Sequence, residues 1–234
     1  MGKREEIRQK RQREQRKNLY VIALIIAGIV VFVSAIVIWR SQAQIQSIVT
    51  PAPVNFPMTD GMAMGDPNAP VIIEEFSDFQ CPACQFFHQE TLGRIVDEYV
   101  STGEVYFIFR NFPFIDTYSV KKESQDAALG SYCAAEQDLF WEYANILFAN
   151  QIGENAGSFT PARLEAMGDI IGLDADFSKC LREARYQDRL DADLLAVEVA
   201  GINSTPSFLI NGLLVTNVPF ETFQIYIEEA LSGN

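Results

Sequence analysis

The chain has 234 residues, a formal net charge of −13, 48% hydrophobic and 12% aromatic residues, four cysteines and a single histidine. Its acid excess keeps the bulk of the chain soluble and argues against nucleic acid or anionic lipid as the main partner. The charge is uneven: residues 1–18 hold eight Lys and Arg against three Glu, for +5, so residues 19–234 carry −18.

The basic arm abuts Leu19 to Trp39, a run without a charged residue and rich in Val, Ile, Leu and Ala. At about 1.5 Å per residue such a run spans the roughly 30 Å hydrocarbon core of a bilayer. Tyr20 and Trp39 stand at its two ends, where interfacial aromatics belong. The positive flank places residues 1–18 in the cytoplasm and everything after Trp39 outside. Residues 19–39 are therefore read as a single uncleaved transmembrane helix. A cleaved signal peptide would have a shorter apolar core and a small-residue cleavage site, for which Ser41-Gln42-Ala43 is a weak match. Residues 40–65, with Pro51, Pro53, Pro57, Gly61 and Gly65, read as a linker. Met58, Met62 and Met64 in it are read as packing residues rather than copper ligands.

About 170 residues follow from Asp66, enough for one domain with a full core. Val71-Ile72-Ile73 reads as a buried strand, and Cys81-Pro82-Ala83-Cys84 follows it closely. Leu92, Ile95, Val96 and Tyr99 recur at helical spacing, which predicts a helix from the motif to about Val100. Cys81 then sits at a helix N-terminus, where free N–H groups and the helix dipole favour a thiolate. Pro82 suits the first helical turn. Cys84, one turn on and more buried, is placed to resolve a disulfide with Cys81. Zinc normally takes four ligands. Here a Cys81, Cys84 and His88 set would supply three, and a purely structural local disulfide would close too short a loop to stabilise much. No metal is expected, and His88 is read as a solvated helix residue.

Val105-Tyr106-Phe107-Ile108-Phe109 is a second strand, and strand, helix, strand of this length implies a parallel pair with a right-handed crossover. Residues 117–200 read as a block of helices, one of them starting at Thr160-Pro161. Pro206 to Ile210 and Leu213 to Thr216 form a hairpin about Asn211-Gly212, and Phe220, Phe223 and Ile227 mark a closing helix. This order, βαβ, a helical block, then ββα, describes an α/β thioredoxin fold with an inserted helical subdomain at 117–200, preceded by one transmembrane helix.

Three stretches carry a resemblance: Val71 to Cys84, Phe140-Trp141-Glu142-Tyr143, and Gly201 to Gly212 with its Thr205-Pro206. Together they resemble the DsbA-like thiol:disulfide oxidoreductases over about Asp66 to Leu231. The resemblance implies Cys81 as nucleophile and Cys84 as resolving cysteine, with Pro82 and Ala83 facing substrate between them. Pro206 is similar to the family's cis-proline, which turns the Thr205 backbone towards an extended substrate peptide. Glu75 stands where the family places a buried acid. A carboxylate near the end of an apolar strand is also desolvated on physical grounds, so its pKa rises and it can move the proton of Cys84. Some relatives bridge cysteines in the helical block, which implies a structural disulfide between Cys133 and Cys180.

The resemblance implies an extracytoplasmic dithiol oxidase acting on exported, reduced polypeptides and re-oxidised by a quinone-linked membrane partner, with no cofactor in the domain. Two departures bear on direction. Many members carry histidine between the cysteines where this chain has Ala83, and Thr205 before the proline is also found in reductases and isomerases. The alternatives are a reductase or isomerase with the same residues, and a non-catalytic thioredoxin-fold binding module.

Overall fold

A computed structural model describes residues 2–216 and 219–233. The side chains at 3–7, 9–12, 40–44 and 46, which include most of the basic arm, lie outside that description. The chain divides into two units, one up to Ser47 and one from Ile48.

The first unit is one helix, α1 (Lys3–Gln46). Its stretch Arg13–Trp39 has a mean hydropathy of 3.3, long and apolar enough to cross a membrane. Large apolar side chains such as Leu24, Val31 and Phe32 stand exposed around it.

The second unit is built on a six-stranded sheet of β1 (Thr59–Asp60), β2 (Ala63–Met64), β3 (Val71–Ser77), β4 (Val105–Asn111), β5 (Ser207–Ile210) and β6 (Leu213–Thr216). Its order is β1-β2-β4-β3-β5-β6. The central pair β3 and β4 is parallel, with Val71 opposite Val105 and Ser77 opposite Asn111. Strand β5 returns antiparallel along β3, placing Glu75 opposite Phe208. The Asn211-Gly212 turn then closes the β5–β6 hairpin.

Helical structure follows β3 at once. α2 (Pro82–Phe86) runs through two one-turn π segments, Phe87–Thr91 and Val96–Val100, with α3 (Leu92–Ile95) between them. The looser turns keep Phe87, Leu92, Ile95, Val96 and Val100 buried against the sheet. The inserted helices are α4 (Glu123–Ala135), α5 (Phe140–Ala149), α6 (Pro161–Ile171), α7 (Ala175–Arg182) and α8 (Gln187–Val199), and α9 (Phe220–Ser232) closes the chain. Cys133 on α4 and Cys180 on α7 are joined by a disulfide, with Cα atoms 5.9 Å apart. Trp141 on α5 is buried, donates from Nε1 to the Ala63 carbonyl and packs on Phe107, Phe140 and Phe56.

The segment read as a linker at 40–65 is largely structured. α1 continues through residue 46, and residues 59–64 form the β1–β2 hairpin on the edge of the sheet. Gly61-Met62, with Gly61 at φ +55°, supplies the two-residue turn. Met62 and Met64 are buried in the core, whereas Met58 is exposed. Gly65, at φ +97°, has no room for a side chain, since a Cβ would strike the Val105 carbonyl. Strands of two residues are too short to show alternation, and the Pro and Gly content masked them.

Candidate active site

Cys81 is the residue just before α2, with extended backbone, and its carbonyl accepts the Gln85 N–H. Its own N–H is bonded to the Asp78 carbonyl. Cys81 is 7% exposed, while Cys84, one turn into the helix, is fully buried. Pro82 and Ala83 are exposed between them. Both cysteines are unbridged.

The sheet brings β5 alongside. The Thr205–Pro206 peptide is cis, and the Cys81 thiol donates to the Thr205 carbonyl at 3.4 Å. Pro206 is buried, with Phe208 behind it. Ala83, Phe86, Phe87, Pro206 and Phe220 line a cleft of about 370 Å³ beside the cysteines, rimmed by Arg94 and Glu221.

The two sulfurs are electrostatically unlike. The Cys81 pKa is lowered from 9.0 to about 6, first by the hydrogen bond that the Cys84 thiol gives its thiolate. Thr205 and the N–H groups of Cys84 and Ala83 act the same way, against the cost of burial. Cys84 is pushed well up, chiefly by burial and then by its bond to Cys81. Such an asymmetry is that of a nucleophile and a resolving thiol.

Glu75 lies on β3 beneath the motif, 1% exposed. Burial raises its pKa to about 8, the nearby Ser77 hydroxyl opposes this in part, and the Cys81 charge adds to it. Neither Glu75 oxygen has a partner within hydrogen-bonding geometry. Its charge is felt at Cys84, so it can hold or give a proton there. Its neighbour Glu74 points the other way and pairs with Arg110 at 2.7 Å.

His88 departs from expectation. It is 8% exposed rather than solvated, its ring packs 4.6 Å from Phe148, and burial lowers its pKa to about 4. It therefore brings no positive charge to the cysteines at neutral pH. The helical pattern of Leu92, Ile95 and Tyr99 did not show that α5 covers its side of the helix.

The sequence reading missed a buried polar cluster under the motif loop. Asp78 accepts from the Gln80 and Ile115 N–H groups, each at 2.8 Å, and from the Ser124 hydroxyl at 2.9 Å. Gln80 is wholly buried, donates to Ser124 and Asp116, and accepts from the Asn155 N–H. The only local signal was Asp78 two residues before Gln80, the spacing of an Asx turn. Cys133 and Cys180 stand apart from this site, on α4 and α7. Among the described residues no three His, Cys, Asp or Glu side chains gather as a metal site would require.

Comparison with known proteins bears on this geometry. A family model described as Thioredoxin matches residues 58–229. A probable disulfide bond formation protein D of Bacillus cereus is 28% identical over 180 residues, 75% of this chain and 81% of that one. A Na(+)/H(+) antiporter NhaA 3 of Salinispora tropica is 32% identical over 149 residues, 63% of this chain, which thus spans only 21% of the antiporter. The crystal structure of oxidised BdbD from Bacillus subtilis superposes with a TM-score of 0.66 at 25% identity, covering 78% of this chain and 99% of that one. The chain belongs to the thioredoxin family, as a DsbA-like thiol:disulfide oxidoreductase.

Proposed function

We propose that this protein is a membrane-anchored dithiol oxidase that donates the Cys81–Cys84 disulfide to exported, reduced polypeptides. The observation that carries the reading is the asymmetry of the two sulfurs. A Cys81 pKa lowered to about 6 stabilises the reduced form, and a stabilised reduced form makes its disulfide an oxidant. The relatives whose printed names speak of disulfide bond formation support the same direction.

A substrate thiolate attacks the Cys81 sulfur, the Cys81–Cys84 bond breaks, and a mixed disulfide forms. Cys84, whose pKa is high, takes a proton, with Glu75 the buried acid nearest in role. A second substrate thiolate attacks the substrate sulfur of the mixed disulfide and releases Cys81 as thiolate. Thr205 and Pro206 hold the substrate backbone as an added strand, and Pro82, Ala83 and the adjacent cleft take its side chains. A quinone-linked membrane partner re-oxidises the pair. In this reading α1 anchors the chain, residues 1–18 stay cytoplasmic and residues 40–65 tether the domain of residues 66–234 outside, their second half joining its sheet.

One observation favours a reductase or isomerase instead: Ala83 supplies no cation between the cysteines, and His88 is neutral and buried. The deciding measurement is the reduction potential of the pair in the full chain, by equilibration with glutathione. A value near −120 mV is expected of an oxidant, and a value near −270 mV would overturn the oxidase reading in favour of the reductase.

A further inference from the structure

Oxidising a substrate dithiol releases two electrons and two protons. The Cys81–Cys84 bond breaks and a substrate S–S bond forms, so the electrons reside in the two protein sulfurs. Cys84 retains one proton. Cys81 leaves as a thiolate, and the new charge draws a proton from solvent towards any buried acid that it reaches.

Asp78 is a buried acid on which that charge acts. It is 2% exposed, three residues before Cys81, and its backbone carbonyl holds the Cys81 N–H. Its carboxylate gathers donors from three separate elements: the motif loop at Gln80, the turn after β4 at Ile115, and α4 at Ser124. The loop bearing the nucleophile is thereby fixed to the helical insertion through one ionisable group.

We infer that Asp78 is a redox-linked positioning residue, which fixes the Cys81 loop and takes up a proton as the Cys81 thiolate forms. The inference rests on the dithiol chemistry proposed for Cys81 and Cys84, whichever way electrons flow. The electrostatics agree with the geometry. Burial raises Asp78 to about 7 against its three donors, and the Cys81 charge pushes in the same direction. Reduction of the disulfide creates that charge, so reduction draws a proton onto Asp78. The other ionisable groups around it are Cys84 of its own loop and Asp116, which shares Gln80 and Ser124 with it and itself faces Lys122 and Glu123. Glu75, at about 8, stays protonated between pH 6 and 7 and does not mimic the effect there.

The test is the pH dependence of the Cys81–Cys84 equilibrium with glutathione, using the full chain in detergent between pH 6 and 7. Wild type should take up a larger fraction of a proton per electron pair in this window than Asp78→Asn, in which only Cys84 and the tail of the Cys81 titration contribute. Ser124→Ala removes a donor that holds the Asp78 pKa down, so it should displace the steep region to higher pH. Identical slopes in wild type and Asp78→Asn would overturn the inference. A purely structural Asp78 would shift the potential equally at every pH, leaving the slope unchanged. If Asp78→Asn does not fold, Ser124→Ala decides, and an unmoved steep region overturns it. A reducing potential with the slope difference intact would instead sink only the oxidase reading.

Discussion

Glu75 shows how one side chain sets the chemistry of another. It sits inside the sheet opposite Phe109 and Phe208, where water does not reach. Held near pH 8, it is mostly protonated at neutral pH and can supply a proton to Cys84 or recover one from it. Glu75→Gln keeps the shape and removes the proton. It is expected to slow exchange at Cys84 about a hundredfold at pH 7, while the Cys81 thiolate still titrates near 6 by its ultraviolet absorbance. An unchanged exchange rate would remove Glu75 from the mechanism. The same variant has a second signature. Folded Glu75 keeps its proton up to about 8, while the unfolded chain releases it above 4.5. Stability therefore falls as pH rises between these values, and that fall should be smaller in Glu75→Gln.

Among the elements, α4 and α7 are held by Cys133–Cys180, which lie 47 positions apart in sequence. A bridge closing a loop of that size contributes roughly 2–4 kcal/mol. The double variant Cys133→Ala, Cys180→Ala should lose about that much in urea unfolding, with the potential of Cys81–Cys84 unchanged because the bridge is not part of the site. A shift in that potential would show that the insertion transmits strain to the motif. Long, periodic elements were legible from the sequence: β3, β4, the helix after Cys81 and the hairpin about Asn211-Gly212 each have a strong local pattern. Cys81, Cys84 and the Thr205-Pro206 pair announce themselves by residue type. Strands β1 and β2 were not legible, since two residues cannot alternate, and their place in the sheet depends on Met64 meeting Phe107 and on Trp141 bonding Ala63. His88 and Asp78 were missed for a related reason. Each is buried by a distant element, α5 for one and the turn after β4 with α4 for the other, and no local pattern records such a neighbour.

For the molecule as a whole, redox state and stability are two readings of one quantity. Folded Cys81 loses its proton near pH 6, whereas its ordinary value is 9.0. Between these limits the folded, reduced protein has shed a proton that the unfolded chain still carries. The reduced form therefore gains stability as pH rises from 6 to 9, and the gain is lost as pH falls back through 6. The oxidised form has no Cys81 thiol to titrate and gains nothing from this source. The falling contribution of Glu75, caused mainly by burial, is common to both forms and largely cancels in their difference. Unfolding by urea at pH 7.5, 8 and 8.5, above the Asp78 range and below that in which Cys84 ionises in the unfolded chain, with Cys81–Cys84 selectively reduced or oxidised and Cys133–Cys180 left bridged, should show the gap in favour of the reduced form widening with pH. A gap that stays constant would mean that folding does not stabilise the thiolate. The stabilised thiolate from which the donor role is proposed would then be absent, and that role would lose its support.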